Sequence, residues 1–417
     1  MARKKDVPVA SRAGVRHGSL RRSRAWVNAG KVLLTGLITV ALSGVAVGAY
    51  AVWGLMQDVD TFELVEEDPT ADAIDAGSQE IDGAFSVLLV GSDSRKGQSI
   101  DDGEQGELND VNLLLHVAKN HKSATVMSFP RDLMLPIPSC PGPNGEPEYY
   151  GAMSEQQLNT TLMYGGLPCT VLTIENLTGF DIDYAGLITF DGVIAMSNAI
   201  GGVKVCLAQD IVDPKTNLNL RAGMNTLKGT KALQFLRTRA GVGDGSDISR
   251  ISNQQVFMSA MVRQLKSAET LANPVKVYAL ANAGLKNMRL SKSMASIEFM
   301  QALAGTVKDI DLDRINFVQY PTYAHPYQSG RVAPDYAAAE HLIKLIKKGK
   351  PFKVTDKGRA VVDNPDADDK AAKEPADESG SSSTEPTKKP DKVSEVGGNI
   401  TGQSAADETC SAGRTIY

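Results

Sequence analysis

The chain has 417 residues, 42% hydrophobic and 6% aromatic, with 44 Lys and Arg against 49 Asp and Glu for a net charge of −5. That length and content exclude a small disulfide-stapled peptide and a polytopic membrane protein, and allow two or three domains or one large domain with appended segments. The net charge is a sum of unlike blocks: residues 1–31 hold nine basic residues against Asp6 alone, or +8, which leaves −13 for the remainder.

After this basic segment, Val32 to Met56 runs for 25 residues without a charge. In a helix that stretch reaches about 37 Å, enough to cross a hydrocarbon core of roughly 30 Å with some tilt. One transmembrane helix is therefore predicted over 32–56, with 1–31 cytoplasmic and everything from Gln57 onward outside, because basic residues stay on the cytoplasmic side. Trp53 suits an anchor at the outer interface. A cleaved signal peptide fits less well, since its apolar core runs for about 7 to 15 residues. The basic segment then serves topology and contact with anionic membrane lipid, not nucleic acid. Residues 57–83 read as a linker.

From 84 to 352 the texture is that of an extracytoplasmic α/β domain. Phe85 to Val90, Val111 to Val117 and Ala124 to Phe129 are short Val- and Leu-rich runs that fit buried strands of one sheet. The polar AKNHKS between the last two predicts a hairpin. Helices are predicted at Asn159 to Tyr164, Thr170 to Leu177, Asp191 to Ile200, Thr230 to Leu236 and, most clearly, Arg250 to Lys266, where Ile251, Gln255, Met258, Val262 and Leu265 recur at steps of three or four. Alternating strands and helices without internal repeats predict a three-layer α/β/α domain around a mixed sheet. Residues 353–417 lack any aromatic before Tyr417 and read as a disordered acidic tail, whose last twenty residues have enough variety to dock back on the domain or on a partner.

All four cysteines, Cys140, Cys169, Cys206 and Cys410, fall outside the proposed span. An even number in an oxidising compartment favours disulfides, with three connectivities open. Cys140 with Cys169 is the preferred pair, because both lie in Pro- and Gly-rich loop sequence. No spacing resembles a zinc site, and the five scattered histidines supply none.

Three polar places do not belong to a core. The strand VLLVGSDSR stops at Gly91 and presents Asp93 and Arg95 at its carboxyl end, the usual ligand edge of an open α/β sheet; a polar turn is the plainer account. Asn109-Asp110 opens the second strand and Pro130-Arg131-Asp132 closes the third. Because antiparallel neighbours reverse direction, Asp93, Asp110 and Arg131 meet at one edge. Two carboxylates beside an arginine repel unless a cation or proton lies between them, and two hard oxygen ligands beside a phosphate suit Mg²⁺. The third place is Arg237-Thr238-Arg239, then AGVGDGSDISR and NQQ. An extended chain past Leu236 sets Arg237 and Arg239 on one face as a phosphate fork, with Arg250 and Gln254 one helical turn apart. Capping the next helix is the plainer account of Asp244 and Asp247.

Together VLLVGSDSR, NDVNLLLHV, SFPRD, NAIGGVKV and LRTRAGVGDGSDISRISNQQ resemble the LytR-CpsA-Psr family of cell-wall glycopolymer ligases over nearly the whole predicted domain. The resemblance implies a layered α/β/α domain that holds a polyprenyl pyrophosphate in an apolar pocket. The implied activity is phosphotransfer of a lipid-linked glycopolymer to peptidoglycan, at the muramic acid 6-hydroxyl. It implies catalytic Asp93 and Asp110 as Mg²⁺-associated carboxylates, catalytic Arg131, Arg237 and Arg239 with Arg250 as pyrophosphate-binding arginines, Gln254 on the pyrophosphate side, and Asp247 as the acidic residue before the helix that starts at Arg250. Arg95 and Asp132, at the same strand ends, join Asp247, Arg250 and Gln254 as substrate-binding candidates from the residues themselves. The sequence departs from the family's pattern at Asn253, where many members carry another arginine, at Asn112, and at Met224, near which a cysteine is common. The partners implied are the donor, peptidoglycan and membrane lipid. A polyprenyl-pyrophosphate hydrolase and a non-catalytic regulator of envelope synthesis are the alternatives. A serine hydrolase is excluded, since Ser92 and Ser94 have no G-x-S-x-G elbow and no histidine near them.

Overall fold

The computed structural model describes residues 26, 29–39, 43, 59–64, 81–94, 98–99, 106–142, 146–267, 270, 274–365 and 393–414. The chain divides into two units, Met1–Gly54 and Leu55–Tyr417. In the first, residues 29–39 are helical and exposed, with the Thr35 hydroxyl donating back to the Lys31 carbonyl at 2.9 Å. The expected span over 32–56 lies mostly outside the described residues, and no described helix is long and apolar enough to cross a membrane.

The second unit is built on a mixed nine-stranded sheet. Its strands are β1 (Asp60–Phe62), β2 (Phe85–Ser92), β3 (Asn109–Val117), β4 (Ala124–Phe129), β5 (Tyr184–Ile188), β8 (Met288–Ser291), β9 (Ile315–Gln319), β10 (Phe352–Asp356) and β12 (Ser394–Ser404). Their spatial order is β1-β8-β5-β2-β3-β4-β9-β12-β10. A four-stranded sheet runs β7 (Gly223–Leu227), β6 (Val203–Leu207), β13 (Thr409–Ser411), β11 (Val361–Asp363).

The two-residue period of a strand splits β2 between two cores. Leu88 and Val90 join Met127, Phe129 and Val318 on one face; Phe85 and Val87 join Ala124, Ile315 and Phe317 on the other. Both faces are apolar, so both need a helical cover. On the first face Val171 and Ile174 of α1 (Thr161–Thr178) and Leu342 and Ile346 of α7 (Tyr336–Lys347) provide it. On the second, Leu285 of α5 (Pro274–Asn287), Phe299 of α6 (Ile297–Lys308) and Met258 of α4 (Asp247–Lys266) do so. Between them, α2 (Phe190–Ile200) is capped by the Thr189 hydroxyl, and Phe235 of α3 (Thr230–Arg237) packs on the smaller sheet.

The predicted β3–β4 hairpin forms, with Val117 opposite Ala124. The two predicted helices at 159–164 and 170–177 are halves of α1, which bends at Gly165 and Gly166, the latter at φ +67°.

The predicted disordered tail needs correction at both ends. Residues 352–356 form β10, and residues 394–404 form β12, which lies between β9 and β10. Residues 366–392 lie outside the described residues. The absence of aromatics misled, because β12 buries aliphatic side chains, Val396 and Ile400, and gains main-chain pairing to β9. Cys140 is joined to Cys169, and Cys206 to Cys410 across the neighbouring strands β6 and β13.

Candidate functional site

β2 and β3 pair residue for residue from Phe85 opposite Val117 to Gly91 opposite Val111, then slip so that Ser92 faces Asn109. Asp110 is therefore the extra residue of a β-bulge, a device that re-aims the side chain it carries. Its Oδ1 accepts from Arg131 Nη1 at 2.5 Å, and its backbone oxygen accepts from Arg250 Nη2 at 2.6 Å. Arg250 Nη1 stands 3.7 Å from the second carboxylate oxygen.

Asp247 enters from the first turn of α4. The cap itself is Ser246, whose hydroxyl accepts from Ser249 N–H at 3.2 Å, so Asp247 is released to face the arginines. Its Oδ1 lies 2.6 Å from Arg250 Nη2, 3.4 Å from Arg239 Nη2 and 4.0 Å from Arg131 Nε. Arg131 N–H donates to its Oδ2 at 3.3 Å. Arg250 and Asp247 are buried, while Arg131, Arg239 and Asp110 are partly open.

Counting the Asp132 and Arg331 pair that borders Arg131, four guanidiniums thus meet three carboxylates, an excess of one positive charge. Among the described residues, the buried Nε of Arg131 and that of Arg250 have no hydrogen-bond partner. A buried donor without a partner is costly, and an oxyanion removes that cost. The electrostatics agree. Burial pushes the Arg239 guanidinium down from its ordinary value, and the neighbouring Arg250 and Arg131 push it further, against Asp247. Burial pushes Asp110 up, but Arg250 and Arg131 together outweigh it and hold the carboxyl below its ordinary value. Arg131 is raised: burial opposes this, and Asp110, Asp132 and Asp247 prevail.

The remaining predicted residues fall in different places. Asp93 sits at the same sheet edge: its Oδ1 accepts from Leu108 N–H at 2.8 Å and its own N–H donates to the Leu108 carbonyl at 3.1 Å. Leu108 is two residues from Asp110, so the carboxylates leave neighbouring strand ends. Asp132 Oδ2 lies 3.9 Å from Arg131 Nε, and its Oδ1 accepts from Gln157 and from Arg331. Gln254 is buried and donates to the Leu236 carbonyl at 2.9 Å, bracing the end of α3. Arg237 corrects the predicted fork: α3 continues through it, and its guanidinium lies 4.4 Å over the Phe190 ring while Arg239 turns to Asp247. Arg95 lies outside the described residues.

Asn253, where the family often has arginine, is fully buried. It donates to the Phe235 carbonyl at 2.8 Å and accepts from the Ser411 hydroxyl, tying α3 to β13. Gln157 and Arg331 were not foreseen: they reach Asp132 only through tertiary folding, and nothing near them in sequence marks them.

A family model described as the LytR_cpsA_psr family matches residues 58–344. The chain belongs to that family. Among curated proteins it is 31% identical over 252 residues to cell wall biosynthesis protein LcpA of Corynebacterium glutamicum, covering 54% of this chain and 48% of LcpA. It is 28% identical over 313 residues to polyisoprenyl-teichoic acid–peptidoglycan teichoic acid transferase TagT of Bacillus subtilis, covering 70% and 86%. The match spans about half the length of the Corynebacterium relatives, 48% and 44%. A crystal structure from Streptococcus agalactiae, 19% identical, covers 68% of this chain and 91% of its own with a TM-score of 0.53, and shares the mixed α/β fold.

Proposed function

We propose that this chain is a phosphotransferase that moves a glycopolymer from a polyprenyl-pyrophosphate donor to peptidoglycan. The observation that carries this reading is the cluster of Arg131, Arg239 and Arg250, with two buried guanidinium donors still unpaired at a sheet edge. Family membership and the transferase named TagT support it. Arg131, Arg239 and Arg250 would grip the pyrophosphate. A hydroxyl of the acceptor sugar, on this reading the muramic acid 6-hydroxyl, attacks the glycan-side phosphorus. A new P–O bond forms, the hydroxyl proton passes to one of the aspartates at this edge and on to solvent, the bridging P–O bond breaks, and polyprenyl phosphate leaves with its electron pair. Charge spreads over the non-bridging oxygens in this transition state, so positioned cations do most of the work. Asp110, held below its ordinary value, enters this step as an anion that orients Arg131 and Arg250.

Mg²⁺ is part of the proposal. The donor chemistry fits: Asp93 and Asp110 offer two hard carboxylates, and this ion takes one or two of those plus phosphate oxygens and water. Among the described residues no group of three or more His, Cys, Asp or Glu gathers, so the remaining ligands would come from the substrate and solvent. When bound, Mg²⁺ supplies neutralisation of the phosphate charge. We place Val32 to Met56 as a single span with the N-terminus cytoplasmic, supported by the flanking charge of residues 1–31. Anchoring has a chemical reason, since donor and leaving group both live in the bilayer.

The test is transfer from a defined lipid-linked donor to peptidoglycan by the full chain, with and without Mg²⁺. Arg131→Ala and Arg239→Ala are each expected to lower the rate roughly 10²–10³-fold. Full activity in either variant would overturn the assignment, and release of phosphate without glycan on the acceptor would make the chain a hydrolase.

A further inference from the structure

Thr322–Ala324 and Val332–Pro334 form a hairpin rooted beside the arginine cluster. Val332 N–H donates to the Asp132 carbonyl at 3.2 Å, and Val332 bridges Leu133, so the hairpin starts one residue along from Arg131. Its connecting turn is held from beneath by His325. The ring Nδ1 accepts from the N–H of Tyr327 at 3.2 Å and of Gln328 at 3.0 Å. Backbone N–H groups only donate, so Nδ1 is bare; a neutral ring then carries its proton on Nε2, 3.1 Å from Glu155 Oε1. The His325 side chain is 5% exposed. His325 N–H to the Arg331 carbonyl, 2.9 Å, and Arg331 N–H to the Gln328 carbonyl, 3.2 Å, close the turn.

Glu155 lies on the strand Met153–Gln157, and the two-residue period puts Gln157 on the same face. Gln157 Nε2 donates to Asp132 Oδ1 at 2.7 Å, and Arg331 bonds the same oxygen. One strand face thus braces the turn through Glu155 and the edge of the arginine cluster through Gln157. What this scaffold presents to solvent is tyrosine: Tyr327 is 91% exposed, Tyr323 51% and Tyr336 57%. A singly exposed aromatic is ordinary. Tyr327, on a turn pinned by a buried imidazole and joined to the arginine cluster, with Tyr323 on the hairpin strand and Tyr336 at the start of α7 within the same fourteen residues, points to a ligand.

We propose that this turn is the acceptor platform, on which a chain of amino sugars lays the C–H face of one ring against Tyr327 while a hydroxyl reaches the phosphate held by Arg131. The inference rests on the transferase reading above and deepens it. Tyrosine offers a flat apolar ring with a polar edge and only two rotatable bonds, which suits a ligand alternating C–H faces with hydroxyls. A membrane-facing turn would carry Phe, Leu or Trp with lysines. Residues 325–331, HPYQSGR, hold no Phe, Leu, Trp or Lys, and their one basic residue, Arg331, is bonded to Asp132.

The experiment uses the full chain and three probes: purified undecorated peptidoglycan glycan strands, inorganic pyrophosphate, and vesicles of anionic phospholipid. Tyr327→Ala is expected to weaken strand binding and raise the acceptor KM about tenfold, with kcat, pyrophosphate binding and vesicle association unchanged. Tyr327→Phe should keep most of the affinity. The ring is almost wholly exposed, so the substitution leaves the fold intact, and an unchanged melting temperature verifies this. Strand binding unchanged in Tyr327→Ala overturns the platform, as does a loss confined to vesicle association. A wild-type chain that binds strands through Tyr327 yet transfers nothing supports the platform while overturning the transferase.

Discussion

Asp244, in the glycine-rich turn, and Asp247, at the start of α4, lie three residues apart and act in opposite directions. Asp244 accepts from Ser246 N–H at 2.9 Å, the Ser249 hydroxyl at 2.6 Å and Arg359 at 2.8 Å. Burial pushes its carboxyl up, but the bonds from Ser246, Ser249 and Arg359 hold it well below the ordinary range. Asp244 is consumed in shaping the turn, and Asp247 is left to order the arginines. Among the described residues, the most perturbed histidine belongs to neither. His116 is buried, takes part in a hydrogen bond with the Ser86 hydroxyl at 3.1 Å, and is pushed down to about 4, by burial first and then by Lys347. In the unfolded chain it would protonate near 6.5. Between those values the unfolded state binds the extra proton, so this contribution to stability is present above about pH 6.5 and is lost as pH falls toward 4. The expected loss from pH 7 to pH 5 is about 2 kcal/mol in urea unfolding. His116→Gln should remove most of that dependence. An equal slope in wild type and variant would assign it to other groups.

At the scale of elements, legibility followed the physics of each signal. The β3–β4 hairpin and the shared edge of Asp93, Asp110 and Arg131 were readable because the strands are continuous apolar runs and antiparallel neighbours must alternate direction. The fork of Arg237 and Arg239 was misread, because it assumed an extended chain from Leu236 where the helix runs one residue further and turns Arg237 onto Phe190. β12 was missed because its burial rests on two isolated aliphatic side chains, Val396 and Ile400, a close-packed glycine and main-chain pairing, which composition does not register. Gly402 shows why. A side-chain carbon there would collide with the Phe317 carbonyl oxygen and the Val318 backbone of β9, neither of which has freedom to move. Gly402→Ala is therefore expected to destabilise the chain by about 1–3 kcal/mol, as overpacking in a core does. Thermal unfolding is the measurement, and an unchanged midpoint would mean that β12 does not seat against β9 as described.

For the molecule as a whole, the question is what holds the last strands to the rest. Cys206 and Cys410 are 204 residues apart in sequence, whereas Cys140 and Cys169 are 29 apart. On the chain-entropy account the longer loop is worth about 5 kcal/mol and the shorter about 4. The longer bridge also has neighbours that reach the arginines. Ser411, next to Cys410, bonds Asn253, and Asn253 holds the Phe235 carbonyl two residues before Arg237. Gly243 N–H donates to the Gly413 carbonyl at 3.1 Å, which fastens the turn between Arg239 and Asp247 to the same terminal segment. If the bridge acted on the unfolded chain alone, Cys410→Ser would raise amide exchange evenly wherever exchange needs global unfolding. If it also anchors the segment, the same variant should raise exchange first in 239–246 and 393–414, by local opening, while Cys169→Ser raises it first around 134–169. Because the Ser411 bond ties β13 to α4 and the Gly243 bond ties Gly413 to the arginine turn, the expected pattern is the local one, with the proposed transfer activity falling before the midpoint of unfolding is reached. Uniform exchange in Cys410→Ser would overturn that coupling.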